Sequence, residues 1–213
     1  MTTRILSAVA SFLLLISTGA FGQKFEITPH VGYQINGGLS NLQTALFDRL
    51  EVENSLNYGL TFGYLAGDML GLEFDWNRSQ SDTLAEPFGG GQSLKLFSLN
   101  QNQYMGNIVW HFRPREAKIR PCAFVGFGAN NLDPSRAGVN GSTKFAWSLG
   151  AGGKYNVSQH FALKGTLRYI PTYITSTSTG GYWCDPFWGG CWVASESHYL
   201  HAFDFSGGVT FRF

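Results

Sequence analysis

Charge is scarce in this sequence. Only 14% of the residues are Asp, Glu, Lys or Arg, and 15 basic side chains face 14 acidic ones. There is no basic stripe to follow a phosphate backbone, so nucleic acid is not expected as a partner. Cysteine is scarcer still, with 3 residues in 213. Beyond residue 22 no apolar run approaches the roughly 20 residues that a helix needs to cross a bilayer. Nothing in the residue pattern calls for a cofactor or a metal. What the chain has instead is 27 glycines and 15% aromatic residues, in a length that suits one domain or two small ones.

Residues 1–22 stand apart. Arg4 precedes an apolar run over 5–16, and Ser17, Gly19, Ala20 and Gly22 follow. These are the three zones of a secretory signal peptide, with Gln23 as the expected mature start. A membrane-anchor helix is the weaker alternative, because the apolar run is too short to span. Removing Arg4 leaves 14 basic and 14 acidic residues, a formally neutral chain.

The last sixteen residues alternate. Tyr199, His201, Phe203, Phe205, Gly207, Val209, Phe211 and Phe213 share one parity; Leu200, Ala202, Asp204, Ser206, Gly208, Thr210 and Arg212 share the other. A strand sends these two sets to opposite faces. An aromatic face backed by a small, polar and charged one suits a barrel with lipid outside and a wet interior. The alternation recurs over 25–35, 57–65, 70–78, 101–112, 120–129, 144–157 and 161–174. Short connections at 66–69, 113–119 and 158–160 alternate with long polar or glycine-rich ones at 36–56, 79–100, 130–143 and 175–197. Short turns at one end and long loops at the other are the pattern of outer-membrane barrels, with the turns in the periplasm. An open sheet would leave edge amides unsatisfied in lipid, so the strands must close. The expected fold is all-β: one transmembrane up-and-down antiparallel barrel of eight strands over 23–213. A soluble barrel with an aromatic core is the alternative. Outward aromatics near strand ends, such as Trp76, Tyr104, Tyr173 and Tyr199 toward the loops and Trp110, Tyr155 and Phe213 toward the turns, are candidate interface girdles.

The sequence resembles the OmpA/OmpX-type eight-stranded outer-membrane barrels. The residues that carry the resemblance are FEITPHVGY at 25–33, PCAFVGFG at 121–128 and VTFRF at 209–213. It implies insertion by the outer-membrane assembly machinery, with Phe211 and Phe213 as the assembly signal. It also implies contact with outer-membrane lipid and lipopolysaccharide, in a Gram-negative bacterium. OmpA carries a peptidoglycan-binding domain after its barrel; this sequence runs out at strand eight, and no wall-anchoring role is carried over.

Inside the barrel, Glu26, Glu73, Asp75 and Asp204 are expected to meet Lys154, Lys164, Arg168 and Arg212, because unpaired buried charge is costly. Such a network plugs the lumen or, as the OmpA resemblance suggests, gates a narrow ion path. His30 and His111 point inward on separate strands, where pairing with a carboxylate is favoured over a metal. Cys184 and Cys191 flank a turn-forming stretch and read as a loop disulfide in an oxidising compartment; two reduced thiols are the alternative, and a zinc site lacks further ligands. Tyr182, Trp183, Phe187, Trp188 and Trp192 crowd around them, and exposed aromatics on a constrained loop suit binding of an extracellular surface ligand. These aromatics packing on each other or on lipopolysaccharide is the plainer reading. Cys122 reads as a small buried residue. A lipid A-modifying enzyme would need a His and Ser together at the rim. Ser195, Ser197, His198 and His201 lie there, but His198 and His201 face opposite sides of a strand, so no catalytic residue is assigned. The leading expectation is a non-catalytic structural or surface-interaction protein, followed by a small porin-like channel, and then by a lipid A-modifying enzyme.

Overall fold

A computed structural model describes residues 24–37, 39–40, 47–87, 93–135, 141–174, 183–184, 191–192 and 198–213. The expected signal peptide at 1–22 lies outside the described residues. The strands are β1 (Phe25–Asn36), β2 (Leu39–Ser40), β3 (Phe47–Val52), β4 (Ser55–Leu65), β5 (Leu70–Pro87), β6 (Leu94–His111), β7 (Ile119–Pro134), β8 (Ser142–Asn156), β9 (Phe161–Ile174), β10 (Trp183–Cys184), β11 (Cys191–Trp192) and β12 (His198–Arg212).

Eight of them, β1, β4 to β9 and β12, form a closed antiparallel barrel in which each strand pairs with its neighbours in this order and β12 returns to β1. The partner row Phe25, Tyr64, Leu72, Ile108, Val125, Leu149, Tyr169, Phe203 makes one circuit of the wall. Phe25 itself exchanges backbone bonds with Phe213, at 3.3 and 2.9 Å. The circuit therefore ends ten residues up β12 from where it began, which is the stagger that tilts the strands and closes the barrel. Tight turns at 66–69 and 157–160 close one end, with Ala66 N–H donating to Leu70 O at 2.9 Å and Val157 N–H to Phe161 O at 3.0 Å.

Side chains follow the alternation. Val31, Phe62, Phe74, Ile108, Phe127, Leu149, Leu163 and Phe203 are exposed on the outside. Thr28, Thr61, Asp75, Asn107, Ser148, Arg168 and Asp204 are buried inside. Inward glycines make room for this filling: a Cβ at Gly126 would collide with Asn107 Oδ1 and Ser148 Oγ. Two prolines, lacking an N–H, sit where the ladder is interrupted. The β1–β12 register passes from Ile27↔Phe211 to His30↔Gly208 beside Pro29, and there Thr28 Oγ1 and Thr210 Oγ1 bond at 2.8 Å. The β8–β9 register passes from Ala146↔Thr172 to Leu149↔Tyr169 beside Pro171.

The expected long loops need correction. Much of 36–56, 79–100 and 130–143 is strand. β5 and β6 run on as a hairpin to Pro87 and Leu94, β7 reaches Pro134, and β3 pairs with the far half of β5. β3 and β4 form one wall position interrupted at Glu53 and Asn54, where Glu53 N–H donates to Asp82 O at 2.8 Å. The alternation continues through these stretches with its polarity reversed. Arg78, Asn102, Asn131 and Thr143 form one outward row across β5 to β8, directly beyond the row Trp76, Tyr104, Ala129, Phe145. Val52, Leu99, Leu132 and Leu200 are buried inside.

Candidate functional site

The lumen is filled in layers. At the turn end, Lys154 pairs with Glu26 and, at 3.3 Å, with Glu73; Lys164 reaches Glu73 at 2.7 Å; Arg212 Nε reaches Glu26 at 3.0 Å and its Nη2 donates to Asn156 Oδ1 at 2.6 Å. In the middle, Arg168 bridges Asp75 at 2.7 Å and Asp204 at 3.3 Å, while Thr61 donates to Asp75 at 2.8 Å and Asn57 donates to Asp204. The eight inward charges of the sequence thus gather into two groups. Each carboxylate has at least one cation, which is the condition for tolerating charge in a low-dielectric interior. Between the groups lies a polar cavity with about 20 Å³ open to the centre of a water, lined by His30, Thr61, Glu73, Asp75, Lys164 and Arg168 among others. That is room for about one water.

Arg120 belongs to the turn-end layer and was missed in the sequence. It is fully buried, and its guanidinium donates to the backbone oxygens of Asp68 at 2.8 Å and Arg113 at 3.4 Å. It straps two turns across the mouth of the barrel. Its inward parity with Cys122 and Phe124 was the available signal. The histidines also differ from expectation. Among the described residues His30 contacts Thr61 Oγ1 at 3.4 Å rather than a carboxylate, and neither ring nitrogen of His111 has a partner. Cys122 is a free, buried thiol packed with Val109 and Phe124. Among the described residues no three His, Cys, Asp or Glu side chains are placed to share a metal ion.

Toward the loop end the filling turns apolar. Met105, Ala146, Ile170 and Ala202 form one buried cluster, and Val52, Leu99, Leu132 and Leu200 form another. β6 and β12 stand opposite each other in the ring of eight, so the first cluster crosses the lumen. Gln34, Gln101 and Gln103 lie between the clusters, with amide contacts of 3.4 and 3.3 Å.

Of the aromatic loop only the backbone at 183–184 and 191–192 is described. There Trp183 is the ladder partner of Trp192, and Cys184 that of Cys191. Tyr182, Phe187, Trp188, Ser195 and Ser197 lie outside the described residues, as do the side chains of Trp183, Cys184, Cys191, Trp192 and His198. His201 faces outward, and its Nδ1 lies 2.6 Å from Tyr169 Oη. Phe211 and Phe213 lie on the outward face at the turn end; Phe211 stacks edge-on against Phe161 at 5.3 Å.

Known proteins share this architecture. Neisserial surface protein A is 14% identical, with a TM-score of 0.58, over 89% of this chain and 97% of its own. OprG from Pseudomonas aeruginosa is 13% identical, with a TM-score of 0.58, over 90% and 98%. E. coli outer membrane protein W is 16% identical, with a TM-score of 0.51, over 92% and 100%. These identities speak for the fold alone. No curated protein sequence matches the chain. The family described as outer membrane protein beta-barrel domain matches residues 8–213. With closure, stagger and an apolar outer face already in place, the chain belongs to the outer membrane protein β-barrel domain family, a resident of the Gram-negative outer membrane.

Proposed function

We propose that this barrel is a non-catalytic outer-membrane protein that presents its loop end to an extracellular surface ligand, with a lumen that does not conduct. The observation that carries this reading is the pair of apolar clusters, led by Leu99 and Met105, stacked above two ionic layers. Apolar constrictions expel water and stop ions, and a lumen packed with side chains serves as a rigid stem. The presenting element is the loop 175–197, with Tyr182, Trp183, Phe187, Trp188 and Trp192 held by a disulfide between Cys184 and Cys191. Direct ladder partners in an antiparallel pair have Cα atoms about 4.5–5.5 Å apart, a separation that a disulfide spans.

Planar-bilayer recording of the purified protein tests the lumen. Wild type should show no steady channels, and Leu99→Asn with Leu132→Asn should begin to leak. Steady wild-type channels would replace this reading with a porin-like one, for which the polar cavity at His30 and Arg168 is the supporting feature. Intact mass after alkylation, with and without reduction, tests the loop: one alkylated thiol before reduction and three after are expected.

A further inference from the structure

Three turns join strands at the turn end, which faces the periplasm in outer-membrane barrels, and they differ in charge. The turn 66–69 carries Asp68 alone, and the turn 157–160 carries His160 alone. The turn 112–118 carries Arg113, Arg115 and Lys118 against Glu116. It is also fixed at several points. Asn156 N–H donates to Lys118 O at 2.8 Å, and Asn156 Nδ2 donates to the backbone oxygens of Arg115 at 3.0 Å and Ala117 at 2.8 Å. From inside, Arg120 holds Arg113 O at 3.4 Å. The side chains of Arg113 and Lys118 are exposed, and among the described residues neither pairs with a carboxylate. The Lys118 ammonium lies 5.6 Å from the centre of the Tyr155 ring, on the outer wall.

From Tyr155 toward the middle of the membrane the outer wall is hollow. An open groove of about 360 Å³ lies there, bordered by Ile119, Tyr155 and Leu163, with Gly153 and Gly165 as its floor. Ile119, Tyr155 and Leu163 are ladder partners in one row; Pro121, Gly153, Gly165 and Gly207 form the next outward row. Lys154 and Lys164 also line the groove, but their ammonium groups turn inward to Glu26 and Glu73. The outward glycines differ from the inward Gly126, where a Cβ would collide with Asn107 and Ser148. A Cβ at Gly165 or Gly207 would meet nothing within 4 Å, and one at Gly153 would come no nearer than 3.6 Å to another atom. The packing of the chain does not require glycine at these places, and glycine weakens a strand. A glycine that its own fold does not need marks a close approach from outside. On this wall the approaching group is apolar, and the cations stand at the turn-end lip of the same groove. An amphiphile with an acyl chain and a negative head group matches both parts. A zwitterionic head group fits less well, because its own ammonium opposes Arg113 and Lys118.

We propose that the groove at Gly153 and Gly165, with the turn 112–118, binds one anionic phospholipid of the inner leaflet. An acyl chain lies over the two glycines, and Lys118 and Arg113 hold the phosphate. The turn is ordered in advance, so little ordering cost remains on binding. The site lies at the opposite end of the barrel from the loop 175–197 and is independent of what that loop presents. Native mass spectrometry of the whole barrel tests it, from micelles holding equal amounts of phosphatidylglycerol and phosphatidylethanolamine with the same acyl chains. A cation near an anionic head group is worth about five-fold in binding, so wild type should retain phosphatidylglycerol at least about ten-fold in preference. Arg113→Gln with Lys118→Gln leaves the backbone oxygens that fix the turn and should abolish the preference. Gly165→Leu fills the groove with a lipid-facing side chain; it should fold normally by heat-modifiability and lose most of the retained phosphatidylglycerol. Equal retention of the two lipids by wild type would overturn the proposal, as would a preference that survives Arg113→Gln with Lys118→Gln, or unchanged retention in Gly165→Leu. Phosphatidylglycerol should also shield Lys118 from amine acetylation, and inorganic phosphate alone should not. Equal shielding by the two would assign the site to a free anion and likewise overturn it.

Discussion

The membrane band and the collar above it are inside-out versions of one another. In the band, Phe74, Ile108 and Leu149 face outward and Asp75, Asn107 and Arg168 face inward. In the collar, Arg78, Asn102 and Asn131 face outward and Val52, Leu99 and Leu132 face inward. The same strands, β5, β6 and β7, run through both regions, with one register shift between β5 and β6 at Thr83 and Leu84, far up the collar. The pleat sets which residues share a face; the solvent decides which face is apolar. In lipid the hydrophobic effect favours neither face, so close packing, polar contacts and ion pairs hold the interior. Above the lipid, water is outside again, and burial of leucine resumes its usual role.

The contrast is best broken at Arg168. Arg168→Met leaves Asp75 and Asp204 buried without their shared cation and should cost about 3–5 kcal/mol; urea unfolding from lipid bilayers, read by tryptophan fluorescence, measures it. A loss under about 1 kcal/mol would mean that the ionic layer does not hold the band together. Next, Ile108→Arg should cost about 2–4 kcal/mol, whereas Asn102→Arg, on the same face of β6, should stay within about 0.5 kcal/mol. Equal tolerance in a heat-modifiability gel would erase the boundary drawn between Tyr104 and Asn102. Leu99→Ala in the collar should cost about 2 kcal/mol, the low end for a buried leucine, and should not alter insertion. The smallest effect is expected on the collar's outer surface. Lys95 and Ser98 donate to Asp82 and hold its carboxyl below the usual carboxylate range. That contribution is present above the unfolded value of about 3.9 and is lost as pH falls through the lower folded value. In Lys95→Met an NMR titration should show the Asp82 pKa rising toward the ordinary value, with stability changing by at most about 1 kcal/mol.

Period-two alternation made the barrel legible, because the membrane strands carry nearly all their aromatics on the outward parity, with Phe124 of β7 an inward exception. Phe203, Phe205 and Val209 against Asp204, Ser206 and Thr210 is such a stretch, and the inward charges are found by the same count. The collar was hidden because the criterion was aromatic-outward, and beyond Trp76 and Tyr104 the outward side chains are Arg78, Gln80, Asn102 and Asn100. Read for parity alone, Phe97 and Leu99 continue the inward face of Gln101 and Gln103. Arg120 was hidden for a different reason. Its partners are backbone oxygens of two turns, which no side-chain pattern marks. The ladder interruptions beside Pro29 and Pro171 likewise depend on which side of the strand lost its donor, a fact of register.

The exchange of backbone bonds between Phe25 and Phe213 has a consequence in time. Every other seam joins strands next to each other in the barrel's chain order, but this one joins residues 188 positions apart. A chain made from its N-terminus cannot finish the wall until Phe213 is available, so this edge of β1 must wait for its partner. Closing so distant a pair is slow, because the entropy of a long loop must be overcome before the contact rewards it. The waiting edge is a template for any other extended chain nearby. Pro29 lies on that edge, facing the place where β12 will arrive, and removes one donor from the template during the wait; Thr28 and Thr210 then join the gap once the partner is in place.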